Sequence, residues 1–396
     1  MRSRPRQGRV IGSIFSFDEP DDILKTWRSI AGKNMLKSIV TSLFVAALTL
    51  SGPAFAAGLK VAVVAPADGP FALLGKQIAD GAAFQAADRG SEVILINESC
   101  DAAGGEALTK ALLASGAEAA IGFLCTESLE AALPALAEAG MPAITVSVRS
   151  DILMEDALKK KWPLYRLAPN GKAEAAAITD VIVAKWRGKP LALIDDGTIH
   201  SRELVEGVRS ALAEIGVTPV FTDVYRPAQE QQVSLVRRLA KSGATHVFTG
   251  GDRNDTAVIA RDAKAENVPI TLLGGDTLNA ADLDVPLENG VLAVTIPDPA
   301  RSNEAAAVVK AMRAAGIEPD GYVLPAFAAM SLLEQAKDQA AKDDGALIEA
   351  LSKGPYQTVL GPVGFNSAHE RIETPYRLMQ WQDGRFVAPS TAGKAE

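Results

Sequence analysis

The chain has 396 residues, with 40 Lys and Arg against 48 Asp and Glu, a net charge of −8 and a pI near 5.2. Hydrophobic residues make up 48% and charged residues 22%, which fits a folded globular protein and excludes wholesale disorder. An acidic balance argues against a nucleic-acid binder, and two cysteines with scattered His200, His246 and His369 offer no metal-ligand spacing, so neither a metal nor a cofactor is expected.

Residues 1–34 carry seven basic and four acidic side chains with no apolar period, and read as an over-extended start before Met35. Residues 35–56 read as a signal peptide. Lys37 supplies the positive end, Ile39–Leu50 is an uncharged apolar run, and Ala54-Phe55-Ala56 gives a small-x-small cleavage pattern after Ala56. Twelve helical residues span about 18 Å, short of the roughly 30 Å hydrocarbon core, so this run is not expected to cross a membrane. Removal of 1–56 would leave 32 basic against 44 acidic residues in an exported, acidic and soluble protein.

From residue 59 onward, short β-branched runs alternate with longer helical patterns. The runs 59–65, 92–97, 119–124 and 143–148 read as strands, with Ala-rich helices at 75–89 and 107–115 between them. The pattern restarts with strands at 191–195, 219–224, 246–249 and 270–273 and helices near 172–187, 201–215, 229–242 and 253–265. Residues 302–353 read as mostly helical and 376–381 as a late strand. The expected fold class is α/β, with two similar doubly wound Rossmann-like lobes. In such sheets ligands bind outside the carboxyl ends of the strands, which here points to a cleft between the lobes.

Catalytic signals are weak. The sequence contains no P-loop motif, no G-x-S-x-G and no G-x-G-x-x-G after the first strand, where Pro70 removes an amide that a phosphate would use. His200 has no evident partner, and no enzyme activity is expected. Cys100 and Cys125 each end a strand region. In an oxidising compartment a structural disulfide is expected over two buried thiols or a redox pair. Thr126 opens the helical segment 127–138, where it can serve as an N-cap, as an anion site, or as both.

The quoted segments resemble the periplasmic leucine/isoleucine/valine-binding proteins, the type I solute receptors of branched-chain amino acid ABC transporters. Asp68-Gly69-Pro70 through Gly75 is similar to the family's S-G-P-x-x-x-x-G loop, and Glu98-Ser-Cys100-Asp101 with Ile121-Gly122-Phe-Leu-Cys125-Thr126 keeps its cysteine spacing. Gly250-Gly251, Gly274-Gly275-Asp276 and Val359-Leu-Gly361-Pro362 continue the match, which covers essentially 57–390. The resemblance implies a lobe of 57–169 plus 296–360 and a second of 170–295 plus 361–396, joined by three hinge crossings.

The family's ligand contacts map onto Leu74, Thr126, the strip Ser147, Val148 and Arg149, and then His200, Asp252 and Asp276. Arg149 stands where a threonine is usual, His200 and Asp252 where tyrosines are frequent, and Asp276 where a glutamate is usual. Arg149 can clamp a ligand carboxylate, pair internally with Asp151, Asp252 or Asp276, or point to solvent. The implied role is the substrate-binding component of an ABC transporter. It would be monomeric, capture a branched-chain or related amino acid by lobe closure, and deliver it to a membrane permease. A ligand-sensing receptor subunit, or transport of an amide or an aromatic or dicarboxylic acid, are the alternatives.

Overall fold

The sheets and their helices follow from the apolar runs. In the computed structural model, which describes residues 58–100 and 104–389, β1 (Lys60–Ala65), β2 (Glu92–Asn97), β3 (Ala119–Gly122), β4 (Ala143–Thr145) and β5 (Leu164–Arg166) form a parallel sheet in the order β2-β1-β3-β4-β5. A second set, β6 (Leu191–Asp195), β7 (Phe221–Val224), β8 (His246–Thr249), β9 (Thr271–Gly274) and β10 (Leu292–Thr295), repeats that order as β7-β6-β8-β9-β10. A small hairpin of β11 (Tyr356–Thr358) and β12 (Gly361–Val363) follows. The second sheet is then extended by β13 (Arg377–Gln382), antiparallel to β10, and β14 (Arg385–Val387). The read start and signal segments, and the cleavage position after Ala56, lie outside the described residues.

Both faces of each sheet are covered. On β1, Val61 and Val63 pack in one core with α1 (Ala72–Arg89), while Ala62 and Val64 pack in another with α2 (Gly104–Ser115), α3 (Thr126–Glu138) and α4 (Asp151–Lys160). The period-two alternation of a strand thus feeds two cores, each buried side chain of Val or Leu size contributing roughly 1.5–3 kcal/mol. In the second sheet α5 (Ala173–Trp186) and α6 (Ile199–Glu214) cover one face, and α7 (Val233–Ser242) and α8 (Arg253–Ala265) the other. The late helices α9 (Ala306–Ala314), α10 (Val323–Asp343) and α11 (Leu347–Leu351) return to the first sheet and pack against α1 and β1.

Three segments therefore connect the two sheets: 167–172 between β5 and α5, 296–305 between β10 and α9, and 366–376 before β13. A buried ion cluster ties two of them. Arg166, fully buried at the end of β5, donates to Glu370 through Nε (3.2 Å) and Nη2, to Asp151 Oδ1 (3.0 Å) and to the Ser150 carbonyl (3.0 Å). Asn170 Nδ2 donates to the same Glu370 carboxylate at 3.3 Å. Strands β5 and β10 extend the pattern read from the sequence, and the late strand begins one residue after the position expected for it.

Candidate functional site

In each sheet the chain order reverses at one strand, since β1 lies between β2 and β3, and β6 between β7 and β8. Crevices open at such switch points beyond the carboxyl ends of the strands, because adjacent connections leave to opposite faces. The crevice of the first sheet is bordered by the turns after β1 and β3. At the latter, Gly122 (φ 108°) and Phe123 (φ 59°) both lie in the left-handed region. A Cβ on Gly122 would come within 2.2 Å of the Val64 carbonyl, so only glycine fits there. The resulting bend aims the amides of Leu124 (2.8 Å) and Cys125 (3.2 Å) at the buried Glu98 carboxylate, which also accepts from Ser128 Oγ. Burial pushes the Glu98 carboxyl above its ordinary range, and these donors oppose the shift.

Cys100 and Cys125 are joined, with Cα atoms 5.3 Å apart. Glu98 and the two sulfurs lie close together, but sulfurs bonded to each other are not thiolate ligands, so the group does not fit a metal. Cys125, not Thr126, is the N-cap of α3. Thr126 is the first helical residue and half-buried, because the turn at Gly122–Phe123 starts the helix one residue earlier than the sequence reading placed its cap. Leu74 is half-buried in the first turn of α1. Ser147 Oγ lies 3.0 Å from the hydroxyl of Tyr322, whose amide donates to Gln77 of α1 at 3.2 Å. Val148 turns its side chain into the core beside Leu153 and Met154, so only its main chain can face a ligand.

The remaining residues gather around a group that the sequence did not mark. Glu174, in the first turn of α5, is buried, and its Oε1 accepts from the Asp276 amide at 2.6 Å. Burial raises its pKa. The Asp276 amide, His200 and Arg149 oppose that shift, and the Asp276 charge adds to it. Arg149 Nη1 donates to Tyr376 Oη at 3.4 Å, and the buried Tyr376 hydroxyl is likewise raised, first by desolvation and then by the Glu174 charge. Arg149 is exposed and enters no ion pair among the described residues. Asp151, one partner considered for it, is instead held by Arg166, with Lys172 at 3.8 Å.

Asp276 is already engaged. Its Oδ1 accepts from Thr295 Oγ1 (2.5 Å), the Ile296 amide (2.9 Å) and Asn279 Nδ2 (3.1 Å). Asp252 is the N-cap of α8 and accepts from the Asp255 amide at 2.8 Å, whereas His200 is exposed in the first turn of α6. Arg149, Tyr376, Glu174, Asp276 and His200 thus share one electrostatic neighbourhood. Leu74, Thr126 and Asp252 lie at the starts of α1, α3 and α8, and among the described residues no hydrogen bond or ion pair joins them to it. Glu174 carried no sequence signal beyond its place just after the first connecting segment, because its burial comes from packing beneath Gly275.

Comparison with known proteins agrees with this architecture. Residues 58–385 match the model of the family described as periplasmic binding protein. "Leu/Ile/Val-binding protein homolog 2" of Brucella abortus (strain 2308) is 23% identical over 364 residues, covering 88% of this chain and 97% of the relative. Among solved structures, the ABC transporter substrate-binding protein of Desulfitobacterium hafniense in complex with Leu superposes with a TM-score of 0.61 at 20% identity, over 84% of this chain and 99% of that one. A solute-binding protein of an R. palustris ABC transporter, in complex with benzoate, gives 0.56 at 20% identity over 83% and 95%. These neighbours share the two-lobed type I fold, and among the described residues no helix is long and apolar enough to cross a membrane. The chain belongs to the periplasmic binding protein family.

Proposed function

We propose that this protein is the substrate-binding component of an ABC transporter, exported to the periplasm after cleavage at Ala56. It captures an amino acid between two lobes and hands it unchanged to a membrane permease. The lobes are about 57–169 plus 296–360 and 170–295 plus 361–396; the packing of α9–α11 on the first sheet and of β13 on the second supports two such lobes, with Val363 and Phe365 in the first core moving the last crossing to 366–376.

One observation carries the ligand class: an unpaired guanidinium, Arg149, faces the field of a buried acid, Glu174, where the ends of the two sheets converge. A carboxylate suits Arg149 and Tyr376, and an ammonium suits Glu174, whose second oxygen accepts no hydrogen bond among the described residues. The Ser147 hydroxyl and the amides of the first turn of α3 complete the carboxylate end, the Ser147 amide being held by Thr145 Oγ1 at 3.3 Å. Leu74 borders the side-chain end. His200 and Asp252 close over it from the second lobe, and Asp276 acts by holding Glu174 in place.

Calorimetry with leucine, isoleucine, valine, leucinamide, 4-methylpentanoate and benzoate tests this reading. A zwitterion should bind, and Arg149→Ala should weaken it about 10–100-fold, the loss of one or two charge-assisted hydrogen bonds. Binding of benzoate alone, unchanged by Glu174→Gln, would favour an aromatic acid as the cargo instead. Conversion of any bound ligand would refute the transport role.

A further inference from the structure

A cavity shares only Arg149 with the residues of that site. It has a volume of about 850 Å³ and is walled by all three segments that connect the sheets, at 167–169, 296–299 and 371–375, together with the end of the β11–β12 hairpin. Arg149 alone of the expected ligand contacts lines it. Its walls are apolar, with Leu167, Ile296, Val359 and Leu360 beside several prolines, which present no N–H to an occupant.

Its cations are without carboxylate partners. Arg149, Arg371 and Arg377 line the cavity, and none of the three enters an ion pair among the described residues. Arg371 is the sharpest case. Its Nε is buried with no hydrogen-bond partner, and its Nη2 reaches only the Leu360 carbonyl at 3.3 Å. The acids on the wall do not bond to it, although the Glu373 charge favours its charged form. Asp298 is committed to Arg301 and the Ala300 amide, while Glu304 and Glu373 are exposed and unpaired with Arg371. Nε itself is sealed from the cavity, but Arg371 as a residue lines it, and a guanidinium held among apolar walls without an ion-pair partner favours an incoming anion on the part that faces the cavity.

We propose that this cavity is a second small-molecule site, taking a monocarboxylate on an apolar body, with the carboxylate on Arg371 and the body against the proline-rich wall. The volume lies within the range of small-molecule pockets. Because the occupant touches every segment joining the two sheets, its binding is linked to their relative movement and so to ligand capture, in either direction by the same factor.

The probe is 4-fluorobenzoate, followed by ¹⁹F NMR on the purified full chain, with Arg371→Gln and Ile372→Trp as variants. Ile372 lines the cavity and is exposed, so the tryptophan fills space without removing charge and guards against a folding defect in the first variant. The expected result is saturable binding, weakened at least about 10-fold by Arg371→Gln and blocked by Ile372→Trp, with leucine failing to displace the probe. Saturable binding indifferent to both variants, full displacement by leucine, or no binding tighter than about 1 mM would each overturn the proposal. Leucine titrated alone reports on the cleft separately, so failure of the transport reading remains distinguishable.

Discussion

Glu370→Ala offers a quantitative test of how the connecting segments are held. The substitution removes three accepted hydrogen bonds, two from Arg166 and one from Asn170, and leaves a fully buried guanidinium with Asp151 and the Ser150 carbonyl as its remaining partners. Removing one partner of a buried pair typically costs about 3–5 kcal/mol, and the surviving Asp151 contact puts the expectation near the lower end, about 3 kcal/mol. At about 2–4 °C per kcal/mol, the melting temperature should fall by about 6–12 °C. Urea unfolding followed by far-UV circular dichroism measures the free energy. The double variant Arg166→Met/Glu370→Leu separates charge burial from packing, since Asp151 is partly exposed and keeps Lys172 nearby. It should recover more than half of the loss. A single-variant loss below about 1 kcal/mol, or no recovery in the double variant, would refute the view that this cluster is a buried, mutually dependent pair.

Three further outcomes follow from other parts of the molecule. Asp255, its Oδ2 buried without a partner, has its carboxyl pushed up to about 6, chiefly by desolvation. The folded chain therefore holds a proton that the unfolded chain has lost between the ordinary aspartate range and pH 6, so stability falls as pH rises through that window. Asp255→Asn should raise the melting temperature at pH 7.5 and change it little at pH 4, and equal shifts at both would contradict the assignment. Reducing the Cys100–Cys125 bond, which closes a loop of sequence separation 25, should lower stability by about 3–4 kcal/mol, read as a shift of the urea midpoint with and without reductant. Gly81→Ala should destabilise by about 1–3 kcal/mol in the same assay, because the added methyl would lie 2.0 Å from the Val323 carbonyl where α1 packs against α10.

The sheet strands were legible where the chain is apolar on both faces. Leu191–Asp195 has the bounds read from the sequence, as a buried parallel strand flanked by turn residues should, and Glu92–Asn97 has them too although it is an edge strand with Leu95 exposed. β5 was missed because its three residues end in Arg166, whose charge breaks the apolar run and is tolerated only through Glu370, about two hundred positions away. β10 was missed because Leu292–Thr295 is only four residues long, even though Asn289-Gly290 marks a turn just before it. At the site, the residue types at 149, 276 and 252 could be read from motif positions, but their states could not. Whether an acid is engaged or free depends on Thr295, Ile296 and Asn279 for Asp276, and on Gly275 packing for Glu174. Arg371 gave no signal at all, since the loneliness of its Nε is a property of the atoms packed over it rather than of its neighbours in sequence.

The pairing of β10 with β13 has a consequence for how the polypeptide is made. Leu292 lies opposite Gln380, yet the intervening helices belong to the first sheet. During synthesis the first sheet is complete by residue 166, but one of its faces is covered by α1 alone until α9 and α10 emerge, and β10 stays an open edge until β13 arrives. A nascent chain therefore presents a half-covered apolar face and an unpaired strand edge together, two features that invite association with other chains. Cutting the gene between β5 and α5 would leave two fragments, neither able to finish its own core, whereas co-expressed halves would have to exchange helices and a strand to fold.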